Sequence, residues 1–439
     1  MHAGWAFGAY NARMEGYYTY PDSVAGARPA RKKRVAVVTQ GVKLPGEDRG
    51  YTRFRAIAEV LADAGFEVDL VTTTFQHWEK AQRNTTRACY QGLPYRIQFV
   101  YEPGYKKNLD VRRINSHHVL ARNLRGFFKS RFADNPHAYD LIYSEIPPND
   151  MALACVEVAR AHNIPYVCDV NDLWPEAMRM AVDVPVVSDV AFAPFARDAR
   201  RVYRQISAAV GTSDEYAARP GLDRDAPYEK RTVYVGNNLS VYDEGAAARA
   251  GDVVKPEGEL WVTYAGMFGA SYDIATLVEA SKLAHEQDAR ICCKLLGDGP
   301  DREKLEKLAR DIDAPVEFVG YAPYDLMAAY LCASDVTVNS LVKSAAQSIV
   351  TKIGDYCAAG IPMINTGSSP EMRGKLEEWG IGLNVEAEDP RALADAILEL
   401  TSDPERRAQM GERARKVAEE QFDQKRSYQV IVELVKSLL

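Results

Sequence analysis

The sequence predicts an α/β protein with two Rossmann-like, doubly wound parallel-sheet domains in series and a central cleft between them. Three observations carry that expectation. Its 439 residues are too many for one ordinary core and fit two domains. A strand–glycine-loop–helix–strand unit opens the folded part, as in a doubly wound sheet. A second βα series then starts at Leu260.

Residues 1–33 mix tyrosine, glycine and alanine without period and end in a basic run, so they are expected to be a weakly ordered tail. Val35–Thr39 reads as the first strand. After the loop Pro45–Gly50 comes a helix with Phe54, Ile57, Ala58 and Leu61 at i, i+3, i+4, i+7. Gly65 stops it and Val68–Thr72 is the next strand. Strands follow at Leu141–Tyr143, Tyr166–Val170 and Ala208–Gly211, with a helix over 149–162. The first domain is thus expected over 34–242. The Ala-, Gly- and charge-rich stretch 243–258 reads as a linker. The second domain is expected over 259–405, with strands at Leu260–Tyr264, Ile291–Leu296, 316–319, 336–339 and 362–365. Helices over 406–439 complete the chain. The last carries Val430, Ile431, Leu434, Val435 and Leu438 as an apolar stripe, expected to cross back toward the first domain.

Bulk properties exclude several classes. With 47% apolar and 26% charged residues the chain is globular. A net charge of −7 argues against broad nucleic-acid binding. No apolar run reaches spanning length, and the N-terminus lacks a signal pattern. Seven scattered cysteines without a C-x-x-C suggest reduced thiols and a cytoplasmic location. Cys292-Cys293 read as core packing.

The chemistry-bearing motifs lie at predicted strand ends. Gly266-Met267-Phe268-Gly269 follows the strand from Leu260; such a loop can turn backbone N–H groups to a phosphate or be only a turn. Gly297-Asp298-Gly299-Pro300 either approaches an anion at a helix start or makes a tight βα turn; a dinucleotide fingerprint is excluded because the third glycine is absent. Lys352 and Asp355 share a helix face at i, i+3. The lysine can balance a departing diphosphate and the carboxylate can accept from ribose hydroxyls; the plain alternative is a surface ion pair. Asn171-Asp172-Leu173-Trp174-Pro175-Glu176 follows another strand. Its polar pair can face a reaction centre, and Asp172 can also cap a helix begun near Pro175.

The stretch 105–131 interleaves Arg112, Arg113, Arg122, Arg125 and other cations with Leu120, Leu124, Phe127 and Phe128. It suits docking on an anionic membrane or grip on a lipid-phosphate acceptor, and equally a solvated helix face. Metal signals are poor. Asp311-Ile312-Asp313 and Asp223-Arg224-Asp225 lack support and His117-His118 lack a ligand set, so no metal and no cofactor is expected.

Together these residues resemble the bacterial retaining glycosyltransferases of family 4, of GT-B fold, over about residues 34–425. The nearest look is to the branch that builds O-antigen, capsule and exopolysaccharide units. That branch's S-x-x-P-P stands here as Ser144-Glu145-Ile146-Pro147-Pro148, and its R-D-L-W-P-E as Asn171-Asp172-Leu173-Trp174-Pro175-Glu176. The family's G-D-G-P is intact at Gly297–Pro300, and its P-x-K-[IL]-x-[ED]-Y-x-A-x-G-x-P-[VM]-I becomes Val350–Ile364.

The resemblance implies a nucleotide-diphosphate sugar as donor, bound mainly by the second domain. Gly320-Tyr321 would face the base and Asp355 the ribose. Gly269 and Lys352 would meet the diphosphate, with Gly266, Phe268 and Gly297 in the same loops and Gly50 approaching from the first domain. Asn171 and Asp172 would lie near donor sugar and acceptor. Glu371 occupies a commonly acidic position. The implied acceptor is a saccharide or polyprenyl-diphosphate-linked saccharide, with the protein cytoplasmic or peripheral on the inner membrane face. Three positions depart from the pattern. The E-x7-E pair falls on Gln347 and Asp355, the cation after the first glycine loop is missing, and Asn171 replaces arginine. Two other readings follow: a nucleotide-sugar 2-epimerase of the same architecture, which needs carboxylates and histidines in the cleft, and a non-catalytic sugar-binding relative.

Overall fold

The strands begin where β-branched and apolar runs are bounded by glycine and polar turns, and they assemble into two all-parallel sheets. The first holds seven strands: β1 (Arg34–Thr39), β2 (Glu67–Thr73), β5 (Arg96–Val100), β6 (Leu141–Ile146), β7 (Tyr166–Val170), β8 (Ala208–Gly211) and β9 (Glu229–Thr232). Their order is β5-β2-β1-β6-β7-β8-β9. A two-residue ribbon, β3 (Phe75–Gln76) and β4 (Ala81–Gln82), lies beyond β2. The second sheet is β10 (Leu260–Ala265), β11 (Ile291–Leu296), β12 (Val316–Gly320), β13 (Val336–Asn339), β14 (Met363–Asn365) and β15 (Gly382–Asn384), ordered β12-β11-β10-β13-β14-β15. Each order reverses beside its first strand, between β1 and β6 and between β10 and β13. Ligands of open sheets bind outside the carboxyl ends at such points. Two doubly wound sheets facing a cleft are the GT-B architecture. The computed structural model describes residues 31–48, 50–108, 110–176, 187–345 and 349–439. Most of the expected tail, Gln347, and the helix expected beyond Pro175 lie outside them.

Four apolar clusters cover the two faces of each sheet. Because parallel strands are buried on both faces, they read as near-continuous apolar runs. Three strands of the two large sheets, besides the short β3–β4 ribbon, went unread in the sequence. β5 and β9 are edge strands with charged or polar residues (RIQFV and EKRT), and β15 has only three residues.

The stretch read as a linker is largely helical. Residues Leu239–Arg249 form a helix with Asn238 as N-cap, its side chain accepting from the Val241 N–H. Ala-rich composition favours a helix, and Leu239, Tyr242 and Ala246 have a partner surface in the second sheet's cluster. The link between the sheets is instead residues 233–238. It runs beside the returning chain at 422–428. Asn237 N–H donates to Phe422 O and Gln424 N–H to Asn237 O, both at 2.9 Å, and a Cβ at Gly236 would sit 2.2 Å from Phe422 O. The last helix, Gln429–Leu438, buries Ile431, Val432, Leu434 and Val435 in a cluster with Val35 and Val37 of β1.

Arg53 fastens this crossing. It is 1% exposed and donates from Nε and Nη2 to the two oxygens of Asp169, each at 3.1 Å. Its Nη1 donates to Val233 O (2.9 Å) and Tyr234 O (3.1 Å). One guanidinium therefore ties the end of β7 to the crossover chain.

Candidate functional site

The second sheet's two glycine loops are pressed backbone to backbone. Gly266 N–H donates to Leu296 O and Phe268 N–H to Asp298 O. A Cβ at Gly297 would meet Gly266 O at 1.8 Å, and one at Gly299 would meet Phe268 O at 2.1 Å. Gly297 also has φ +139°, which L side chains rarely adopt. Two of the four amides expected to face a phosphate are thus spent on loop pairing. Phe268 is fully buried in the core beside Phe318. It anchors the loop from behind, because an apolar ring gains more from the sheet core than from the cleft.

Lys352 comes up against the first loop. It starts the helix Lys352–Ala358 and is 8% exposed. Its Nζ donates to Tyr264 Oη at 2.9 Å and lies 4.1 and 3.9 Å from the ring centres of Tyr264 and Tyr272. A Cβ on Gly266 would fall 2.9 Å from it. Burial pushes its pKa well below the usual lysine range. Among the described residues no carboxylate lies within ion-pair distance. Asp355 turns elsewhere, accepting from Asn237 Nδ2 (3.0 Å) and Tyr324 Oη (2.7 Å), with its pKa raised by burial. Lys352 and Asp355 share a helix yet do not pair, so the surface ion-pair alternative is not what forms.

Tyr321 follows β12 and is 64% exposed. Glu371 reaches to the first sheet's side, where its oxygens accept from the N–H groups of Asp214 (2.7 Å) and Glu215 (3.0 Å). In this arrangement it bridges the two halves.

On the opposite wall, Gly50 has φ +123° and backs onto Trp78, whose ring a Cβ would meet at 2.7 Å. Next to it Tyr51 is half-exposed and packs edge-on to Trp78 at 5.3 Å. Crowding first, then the charge of Asp172, raises the Tyr51 pKa, and Tyr51 in turn acts on Tyr272 of the second half. Asp172 accepts from Leu173 N–H (2.8 Å) and Trp174 Nε1 (3.1 Å); burial raises its pKa. Asn171 Nδ2 is spent on Asp169, donating to its backbone oxygen at 3.0 Å.

The basic stretch divides. It forms the helix Val111–Asp134, and Leu120, Leu124, Phe127 and Phe128 are core residues of the first half, so its apolar face is already covered by the protein. Arg112 and Arg122 are exposed, and Arg125 pairs with Glu157 at 2.8 Å. Arg113 turns inward, 4.7 Å over the ring of Trp174. Sequence reasoning missed Tyr51, Tyr264 and Tyr272, because lone tyrosines in strands and loops read equally as core, and Lys80, because a single lysine in a turn reads as solvated surface. Among the described residues no group of three or more His, Cys, Asp or Glu is placed to hold a metal ion, and no helix is long and apolar enough to cross a membrane.

Comparison with known proteins bears on this geometry. Residues 249–417 match the family model for glycosyl transferases group 1. That span holds both glycine loops, Lys352, Asp355 and Glu371. Over 144 residues, 32% of the chain, it is 30% identical to N-acetyl-alpha-D-glucosaminyl L-malate synthase of Bacillus anthracis. The chain covers between 36% and 41% of the length of the curated relatives it matches. Among solved structures, sucrose-phosphate synthase from Thermosynechococcus elongatus superimposes with a TM-score of 0.66 at 19% identity, covering 93% of this chain and 99% of that one. HepE of Anabaena, in complex with UDP, does so with a TM-score of 0.63 at 14% identity, covering 92% and 100%. The fold is therefore shared over nearly the whole chain, and the family-model match lies in its second half.

Proposed function

We propose that the protein transfers a sugar from a nucleotide-diphosphate donor to a hydroxyl of a saccharide or lipid-linked saccharide, with retention at the anomeric carbon, in the building of surface polysaccharide. The observation that carries this reading is Lys352, a buried amine with no carboxylate in reach, held by two tyrosines against a glycine loop at the carboxyl end of β10. A buried charge calls for a partner, and a diphosphate is the partner that this loop setting suits. The match to glycosyl transferases group 1 and the UDP complex of a like-folded protein support the same donor class.

In this reading the donor lies along the second half. Tyr321 meets the base and Asp355 the ribose. The open part of the Gly266–Gly269 loop and Lys352 take the diphosphate. Gly50 and Asp172 close from the first half, and Glu371 sits at the junction. The acceptor oxygen bonds to the anomeric carbon while the bond from that carbon to the phosphate oxygen breaks. The electron pair leaves on the β-phosphate, which takes the acceptor proton on the same face. Lys352 stabilises the charge that builds there. Closure of the halves about residues 233–238 and 422–428 excludes water. The enzyme works at the cytoplasmic face of a membrane, where a lipid-linked acceptor would reside.

A thermal-shift screen against UDP-, GDP- and dTDP-sugars tests donor binding, since a ligand of the native state raises apparent stability. Nucleotide release that depends on an acceptor supports transfer. Exchange at C2 without transfer makes the protein an epimerase, and binding without turnover makes it a non-catalytic relative. The epimerase reading needs a histidine that can carry a proton. The two that lie on the first half's wall, His77 and His117, are both pushed down by burial, His77 to about 3.

A further inference from the structure

Two cations on the first half's wall lie over one aromatic ring without an ion-pair contact to a carboxylate. Lys80 ends the turn of the β3–β4 ribbon and places Nζ 4.9 Å over the ring of Tyr105. Arg113 lies 5.6 Å over the same ring and 4.7 Å over Trp174. Their hydrogen-bond partners are neutral: Lys80 donates to Asn108 Oδ1 (2.7 Å) and His77 O (2.5 Å), Arg113 to Asn108 O (3.2 Å). Among the described residues neither has a carboxylate within ion-pair distance. Burial first and then Arg113 disfavour the charged forms of Lys80 and His117, with Glu102 acting the other way on Lys80.

Like charges brought together are destabilising, so a fold that holds them is organised for something else. Two buried nitrogens lack a partner there. Arg113 Nε is a donor without an acceptor, and His117 Nε2 has no hydrogen-bond partner, in a residue that is 3% exposed and whose ring stacks on Trp174. Trp174 follows β7, Tyr105 follows β5 and Lys80 follows β2, all at carboxyl ends of the first sheet. Arg113 also favours the charged form of Asp172, whose carboxylate accepts from Trp174 Nε1.

We propose that Lys80 and Arg113 form an anion subsite for the acceptor, which therefore carries a phosphoryl group close to the accepting hydroxyl. The aromatic rings fix the guanidinium plane, as suits bidentate recognition of a phosphate. The inference rests on the transfer reading for the word acceptor; the anion site itself does not. The exposed basic face of the helix, Arg112 and Arg122, is outside the subsite.

The test is equilibrium binding to the full chain at saturating UDP, which keeps the probe from the Lys352 site. The probes are geranyl diphosphate, glucose 1-phosphate, geraniol and glucose. Phosphorylated probes are expected to bind and the two neutral ones not. Lys80→Met and Arg113→Met should each weaken that binding on the order of tenfold or more, with UDP affinity unchanged as the check on folding. Arg112→Met should have no effect. Binding of geranyl diphosphate alone assigns a lipid-linked acceptor, and binding of both phosphates a soluble one. The inference is overturned if phosphorylated and neutral probes bind alike, or if both methionine variants retain full phosphate binding. Should wild-type protein fail to bind any nucleotide, the donor reading falls. The same titration on Lys352→Met without UDP then still decides the anion subsite.

Discussion

Replacing Lys352 by methionine should raise the stability of the free protein and remove its donor affinity. The opposite signs follow from the site. Without ligand, Nζ is enclosed by Tyr264 and Tyr272 and has one neutral hydrogen-bond partner. Methionine fills similar volume and makes favourable contacts with aromatic rings. Tyr264 Oη keeps its bond to Met267 O at 2.9 Å. Relief of a buried, desolvated amine with no carboxylate partner therefore outweighs one lost hydrogen bond, by about 1–2 kcal/mol, the usual size of a stabilising substitution. Spread over a unit of about 400 residues, at roughly 2 cal/mol/K per residue, that is a rise in Tm of about 1–2 °C. With donor present, the same change removes a preorganised cation from a developing oxyanion, which costs about 2.7–4 kcal/mol or 100- to 1,000-fold in rate. Paired melting curves with and without UDP, plus calorimetry in buffers of different ionisation enthalpy, read both effects. Because burial holds the free lysine's pKa down and a diphosphate would raise it, wild-type binding should take up protons; the variant should take up fewer. A variant that is destabilised and still binds UDP would refute the reasoning and make Lys352 a packing residue.

Other expectations follow from the same structure. Arg53→Met takes the paired cation from the buried Asp169, which keeps only the neutral donors Tyr143 Oη and Asn171 Nδ2, and frees two crossover carbonyls, so it should cost about 3–5 kcal/mol in chemical denaturation. Glu145 accepts at one oxygen from Gln40 and Gly41 N–H, and burial raises its pKa to about 7. Its folded pKa exceeds the unfolded value of about 4.3, so its contribution is full below about pH 4 and lost as pH rises through 7. Glu145→Gln keeps an accepting oxygen, and should flatten that slope in stability measured from pH 5 to 8. An unchanged slope would clear Glu145 of it. Gly297→Ala would drive a Cβ to 1.8 Å from Gly266 O at φ +139°; a loss of several kcal/mol, or insoluble protein, is expected.

What the sequence determined by itself was the rhythm and the loop ends. Strands buried on both faces must be apolar throughout, and helices between them must show a 3.6 period, so β1, β2, β6, β7, β10, β11 and β13 were legible. So were the glycine positions, because close backbone approach leaves no room for a side chain. The helix Leu239–Arg249 was not legible, since its alanines suit a linker until the helix Tyr324–Ala333 gives them a surface. Tertiary structure alone decided which charges are paired. Arg125 found Glu157 and Glu371 found two amides, whereas Lys352, Lys80 and Arg113 met aromatic rings and no carboxylate. Local sequence cannot report that difference. A counter-ion is supplied by distant strands, and its presence or absence is settled only when two sheets bring their carboxyl ends together.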